Sequence, residues 1–255
     1  MDLATVVGTV LAWVAVLAAF IMEGGRLGTL VHPSSAVLVI GGTLGATVIT
    51  SPLSLSMQIP AILRNAMFAP RLDPADIIAK MVEFARTARS SGLLALEAEA
   101  KKVDNKFLQK GVELLVDGTP SETVREILDT EIAGMRERHK SGESLFSTMG
   151  GFAPTLGIIG TVMGLVHMLE NLDKPGDMGP AIAAAFMATL YGVSIANLFF
   201  LPVGAKLKSR AGEEASTYEM IIEGILSIQA GDNPRIVELK MLSFLPPKER
   251  EKLKN

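Results

Sequence analysis

Two threonines, Thr161 and Thr189, are the side chains of this 255-residue sequence best placed to do chemistry. Each lies in a long apolar stretch, "GGFAPTLGIIGTVMGLVHMLE" from residue 150 and "GPAIAAAFMATLYGVSIANLFFLP" from residue 179. A helix turns ~100° per residue, so Ala153, Gly157, Gly160 and Gly164 fall within about 60° of one another, with Thr161 at the stripe's edge. Ala181, Ala185, Ala188 and Gly192 repeat those offsets, with Thr189 at the edge. A hydroxyl in a helix can satisfy itself on the carbonyl one turn back. Two of them, at matching depth on matching stripes, can also form a polar lining for something that crosses the midplane.

The small residues have two readings. Within lipid little hydrophobic force brings helices together, and small residues permit close backbone packing instead. That surface can serve the chain's own neighbouring spans. It can equally admit a helix from another chain, and Ala153, Gly157, Gly160, Gly164, Ala185, Ala188 and Gly192 are the candidates for partner-helix packing. Apart from Glu170, which closes the first, no Asp, Glu, Lys or Arg falls inside these stretches. Ion-driven machines usually place an ionisable group in the membrane despite its cost. If this protein handles ions, the titratable group must come from a partner.

Other chemistries are poorly supplied. There is no cysteine, hence no disulfide framework and no thiolate metal site. His167 and Glu170 make only a two-membered pair at the edge of a span, and His32 and His139 have no companions of ligating type. "AGDNP" at 230–234 lacks the lysine and the preceding strand of a phosphate loop. No nucleophile–base constellation occurs, so no enzyme, cofactor or bound metal is expected. A net charge of −3 gives no basic stripe for nucleic acid.

These residues need a membrane scaffold. The chain is 49% hydrophobic and 20% charged, with a mean hydropathy of +0.37. A span takes about 20 residues, and four segments approach that length: Leu3–Ile21, Ser34–Ile49, Gly150–Leu169 and Pro180–Leu201. The first reads as a retained span, because Asp2 stands where a signal peptide would be basic. The short connections hold Arg26 and Lys174 alone, whereas the other 22 of 24 basic residues lie in 51–148 and 203–255. Arg136, Arg138 and Lys140 before the third span, and Lys206, Lys208 and Arg210 after the fourth, put both termini and the long loop in the cytoplasm.

The polar segments read as helices. Asp73-Pro74 is a start signal and Ser91-Gly92 a break. "TPSE" at 119–122 reads as a capping box with Thr119 as cap, opening a helix that continues into the third span. Asn233-Pro234 starts a short helix and Pro246-Pro247 ends it. The expected fold is an all-α membrane protein with four transmembrane helices, a large helical cytoplasmic loop between spans two and three, and a helical cytoplasmic C-terminus. Its segments are 1–50 (spans one and two), 51–148 (cytoplasmic), 149–202 (spans three and four) and 203–255 (cytoplasmic). Pro154 and Pro202, near the cytoplasmic ends of spans three and four, mark a helix entry or kink, or let the cytoplasmic extensions swivel.

"APTLGIIGTVMGL", the fourth-span stretch quoted above, "ARSSGLLALEAEA", "FLQKGVELLVDG" and "ERHKSGESLF" together resemble the MotA/PomA family of bacterial flagellar stator subunits. The resemblance runs in order over nearly the whole chain. It implies a homopentamer around two copies of a MotB/PomB-type partner, whose single span carries the missing aspartate, in the bacterial inner membrane. It implies that transported Na+ or H+ drives torque on the rotor protein FliG. Arg89 and Glu97 match rotor-facing charges, with Ser90 and Ala98 where other members are charged and Glu99 as a substitute. Pro154 and Pro202 match prolines that couple ion flow to the cytoplasmic part. Thr161 and "ATLYG" resemble the sodium type, so both threonines are expected along the ion pathway. The nearest rival is the ExbB/TolQ class of energy transducers, for which three spans are expected.

Overall fold

The computed structural model describes residues 3–68, 72–173 and 175–254; Asp2 and Lys174 lie outside them. It is helical, without a strand among the described residues. Among the described residues, four helices are long and apolar enough to cross a membrane: Ala4–Met22, Leu27–Thr50, Ser121–Glu170 and Met178–Gln229. The four spans accord with the expected fold and stand against the three of the rival class. The chain forms two compact units: Met1–Pro70 with His139–Ser209, and Arg71–Arg138 with Arg210–Asn255. Residues 51–68, 139–148 and 203–209 thus pack with the apolar helices.

In the apolar unit the first span is one helix, Leu3–Met22. The second runs from Pro33 to Thr50 and contains a π-turn over Val37–Gly41. The third belongs to a single 50-residue helix, Ser121–Glu170, with Pro154 in its interior. The expected continuation into the span is therefore present. The fourth begins as Pro175–Ile195, passes a second π-turn at Ala196–Phe200, and continues as Leu201–Gln229. Val39, Phe146, Met149, Ala153, Ala196 and Phe200 form the buried centre, which Ile59, Ile62 and Leu63 of the helix Ile59–Phe68 cover in part.

The polar unit is built by helical periodicity. Ile77, Ile78, Met81, Phe84 and Ala85 are the buried stripe of Pro74–Ser91, and Phe107, Leu108, Gly111, Val112 and Leu115 that of Lys106–Val116. Val124, Leu128, Ile132 and Met135 face them from the long helix, and Ile221, Ile222, Ile225 and Ile228 from Leu201–Gln229. Each buried Val, Leu, Ile, Phe or Met side chain among them stabilises by about 1.5–3 kcal/mol. Ion pairs Arg125–Glu223 at 3.1 Å and Lys110–Glu131 at 2.5 Å lie on the surface. At that exposure they add little beyond the apolar contacts.

Local signals act as their chemistry dictates. The Asp73 carboxylate accepts from the Ala75 N–H at 2.9 Å, with Pro74 in the first helical position. Asn105 and Asn233 cap their helices in the same way. Gly92 ends its helix at φ +83°, where an L side chain would be strained. Two expectations need correction. The Val124 N–H bonds the Pro120 carbonyl, so Pro120 rather than Thr119 holds the cap position and the helix begins at Ser121. Pro246-Pro247 does not end a helix: the preceding one stops at Leu242, and Pro247, whose φ suits a first turn, opens Pro247–Lys254.

Tyr218 stacks on Phe107 with ring centroids 4.2 Å apart. Burial, followed by the charge of and hydrogen bond to Glu214, pushes its hydroxyl up to about 12. The raised value contributes stability that is complete below the unfolded tyrosine's pKa of about 10 and is lost as pH rises through about 12. Tyr218→Phe should therefore flatten the alkaline fall in melting temperature over that window and leave the neutral side alone. Parallel slopes for the two proteins in a pH series would exclude this linkage.

Candidate functional site

Thr161 and Thr189 meet. Their hydroxyls form a short hydrogen bond at the contact between spans three and four. Thr161 Oγ1 also lies 3.1 Å from the Gly157 carbonyl and 3.1 Å from that of Ala185. Thr189 Oγ1 lies 3.4 Å from the same Gly157 oxygen. Two hydroxyls and two carbonyl oxygens thus converge on one half-buried point, in spans (Gly150–Leu169 and Pro180–Leu201) that carry no Asp, Glu, Lys or Arg. Oxygen donors of this kind suit hard cations.

The small-residue stripes create this point by facing one another. A Cβ built on Gly192 would stand 2.5 Å from the Ala153 carbonyl oxygen and 3.1 Å from the Gly157 Cα. One on Gly157 would stand 2.9 Å from the Ala188 oxygen, and one on Gly164 would stand 2.7 Å from the Ala185 Cβ. Gly160 packs on Ala188 and on Leu38 of the second span. Ala153, Ala185 and Ala188 are almost wholly buried within the chain itself. Ala153, Gly157, Gly160, Gly164, Ala185, Ala188 and Gly192 pack against the chain's own spans, the first of the two readings of these stripes.

The prolines sit where helical bonding is altered. Pro154, half-buried, removes an N–H from the long helix, so the Gly150 carbonyl has no bond one turn on. Pro202 is exposed and follows the π-turn, whose Leu201 N–H reaches back to the Ala196 carbonyl. Proline and π-turns are recognised sources of helix bends.

Arg89 and Glu97 belong to the polar unit, on either side of the Gly92 break. Arg89 is exposed and has no ion pair among the described residues. Glu97 pairs with Lys101 at 2.8 Å. That hydrogen bond, reinforced by the charge, holds the carboxyl below its ordinary range and raises the Lys101 ammonium. Glu99 pairs with Lys102 at 2.7 Å. The Asn171 side chain donates to the His167 carbonyl at 2.8 Å. Among the described residues no group of three or more ligating side chains occurs.

Sequence reasoning did not find the clamp at the other end of spans two and four. The Tyr191 hydroxyl accepts from the His32 N–H at 2.9 Å and donates to the Leu30 carbonyl, while Ser35 donates to Ala184 at 3.1 Å. Thr43 and Thr47, fully buried in span two, bond carbonyls one turn back at 2.5 and 2.7 Å. Nor did it find the π-turns. Tyr191 lies in the quoted "ATLYG", but its partners are about 160 positions away in sequence, at separations of 159 and 161.

Among the described residues, four helices of spanning length, two of them meeting at a hydroxyl pair, make this a multi-span membrane protein. The family model for the MotA/TolQ/ExbB proton channel family matches residues 99–220, and that for the motility protein A N-terminal region matches 6–92. Motility protein A of Bacillus subtilis (strain 168) is 37% identical over 254 residues, covering 99% of this chain and 94% of that protein. Chemotaxis protein PomA of Vibrio alginolyticus is 38% identical over 245 residues, 96% of each. The flagellar MotAB stator complex from Bacillus subtilis contains a chain that superposes with a TM-score of 0.92 at 36% identity, covering 99% of this chain and 100% of that one. A chain of C. jejuni MotAB gives 0.92 at 32% identity, covering 97% of each. The chain belongs to the MotA/PomA family, and the expectation that it is not an enzyme stands with that membership.

Gly192→Ala should force the spans apart, since a backbone oxygen blocks the new methyl, and cost about 1–3 kcal/mol. Gly151→Ala, with nothing within 4 Å, should be neutral or gain up to about 1 kcal/mol. Thermal unfolding of the two variants in one detergent checks the contrast. Equal melting temperatures would mean that spans three and four do not pack this closely.

Proposed function

We propose that the chain is an ion-conducting stator subunit of the bacterial flagellar motor. In this reading it lies in the inner membrane with both termini cytoplasmic. It forms a homopentameric ring around a MotB/PomB-type single-span partner and converts ion flow into torque on FliG. The observation that carries the reading is the junction of Thr161 and Thr189 beside the Gly157 and Ala185 carbonyls, in spans without an Asp, Glu, Lys or Arg of their own. The chain brings oxygen ligands; the carboxylate comes from the partner. Likeness to the MotA chains of two MotAB structures supports that partner.

Sodium is the favoured ion, because a hard cation gains from a hydroxyl and carbonyl shell and a proton does not require one. A proton-driven motor is the second reading. The threonine hydroxyls already satisfy one another and nearby carbonyls, and the matching family model describes proton channels. Arg89 and Glu97 are the proposed rotor contacts. Glu97 and Glu99 reach that surface as exposed ion pairs with Lys101 and Lys102. Such pairs contribute little to stability and exchange readily for an intermolecular partner. Pro154 and Pro202 are the proposed joints between ion path and torque-bearing helices.

In a motile host without its own stators and with the partner supplied, swimming speed at fixed pH should rise and saturate with external sodium. Thr161→Ala should shift half-saturation up by about tenfold, the loss of one charge-directed ligand, and Thr161→Ser should restore it. Speed indifferent to sodium but abolished by a protonophore would replace sodium with protons. Absence of motility despite stable membrane expression of the complex would reject the stator reading. Arg89→Ala with Glu97→Ala should lower speed at unchanged membrane levels; an unaltered speed would remove both from the rotor contact.

A further inference from the structure

The first span touches the rest of its unit loosely. No residue between Ala4 and Met22 is buried, although the helix stands beside spans two and four. Between the three spans lies a cavity of about 500 Å³, lined by Trp13, Leu17 and Phe20 of the first span, Val39 of the second and Ile195 of the fourth. Apart from the Trp13 indole N–H, its polar lining comes from Tyr191, Ser194 and Glu23. The Tyr191 hydroxyl is already engaged by His32 and Leu30. Glu23 stands just past the end of the first helix, exposed and with no ion pair among the described residues.

Three properties select the occupant. The lining is apolar and sits at the depth of hydrocarbon, so water has too few partners there to stay. The space is too small for a spanning helix, which as a cylinder about 10 Å across and about 30 Å long needs on the order of 2,500 Å³. A single slender acyl chain fits such a volume, and apolar pockets of roughly 300–1,000 Å³ are the ordinary size for small ligands. At one end the Glu23 carboxylate favours a headgroup carrying an ammonium over one with net negative charge. We propose that this cavity is a phospholipid site. It takes one acyl chain between spans one, two and four and sets an amine-bearing headgroup, of the phosphatidylethanolamine type, against Glu23. The lipid supplies the contacts that the first span does not make with its own chain. This site is independent of the motor reading.

Trp13 is the only tryptophan in the sequence and lines the cavity, so it reports occupancy directly. The full chain is reconstituted in phosphatidylcholine vesicles with increasing fractions of acyl-brominated phosphatidylethanolamine or phosphatidylglycerol. Quenching of Trp13 by the ethanolamine lipid should saturate at a mole fraction about two- to fivefold lower than by the glycerol lipid, the range an exposed ion pair gives. Glu23→Gln, at an exposed position, should erase that difference. Quenching that rises in proportion to mole fraction and alike for both lipids would overturn the proposal, since Trp13 then meets bulk lipid only. So would a Trp13 that no brominated lipid quenches, because protein (a second copy or a partner helix) then covers the face. As a second measurement, native mass spectrometry should find one phospholipid retained per chain and lose it in Ala36→Phe, since Ala36 of the second span also lines the cavity and the ring takes the space. Equal retention by that variant would place the lipid elsewhere.

Discussion

The close contact of spans three and four is the constraint on which the rest of the apolar unit depends. In lipid, association gains little from hiding apolar surface, so it rests on packing and on the few polar bonds that close approach permits. Gly157, Gly164 and Gly192 bring backbone to backbone at distances where even a methyl group would collide. Only at that separation do the Thr161 and Thr189 hydroxyls reach each other and the carbonyls of the facing helix. The glycines therefore position the threonines. The lost side-chain bulk is the condition for a polar point inside an apolar pair.

The same economy explains what the spans lack. Neither helix carries a carboxylate or an ammonium within Gly150–Leu169 or Pro180–Leu201, so their own polar atoms are satisfied within the pair and no charge needs desolvation. In the proposed function the chain is one half of an ion site, and the titrating group arrives on another helix. Below the spans, helical order does not stop. Ser121–Glu170 is continuous, and the fourth span passes a π-turn and Pro202 before continuing to Gln229. Movement at Pro154 or Pro202 would be carried along helices rather than through loops.

The sequence made the helical content, the four spans and the continuity into span three legible, because they depend on local periodicity and hydropathy. The matched offsets of Thr161 and Thr189 also gave away that the two residues are equivalent. Which surface the small residues serve was not legible: a stripe has the same spacing whether it meets a sister span or a foreign helix. Only the distances at Gly157 and Gly192 decide between them. The π-turns in Val37–Gly41 and Ala196–Phe200 have no residue signature, since they arise from how the backbone accommodates its neighbours. The Tyr191 clamp escaped for a related reason, because its bonds to His32 and Leu30 join distant parts of the chain. Thr119 and Pro120 differ by one position, and the carbonyl chosen by Val124 settles the matter.

The measurement that tests the central claim most directly is sodium uptake into vesicles under an inward gradient, with this chain alone and with its single-span partner. An ion path built from hydroxyls and carbonyls without a charge of its own predicts uptake only when the partner is present, and a loss of uptake when the partner's intramembrane carboxylate is neutralised. Uptake by this chain alone, at the rate of the complex, would contradict the account.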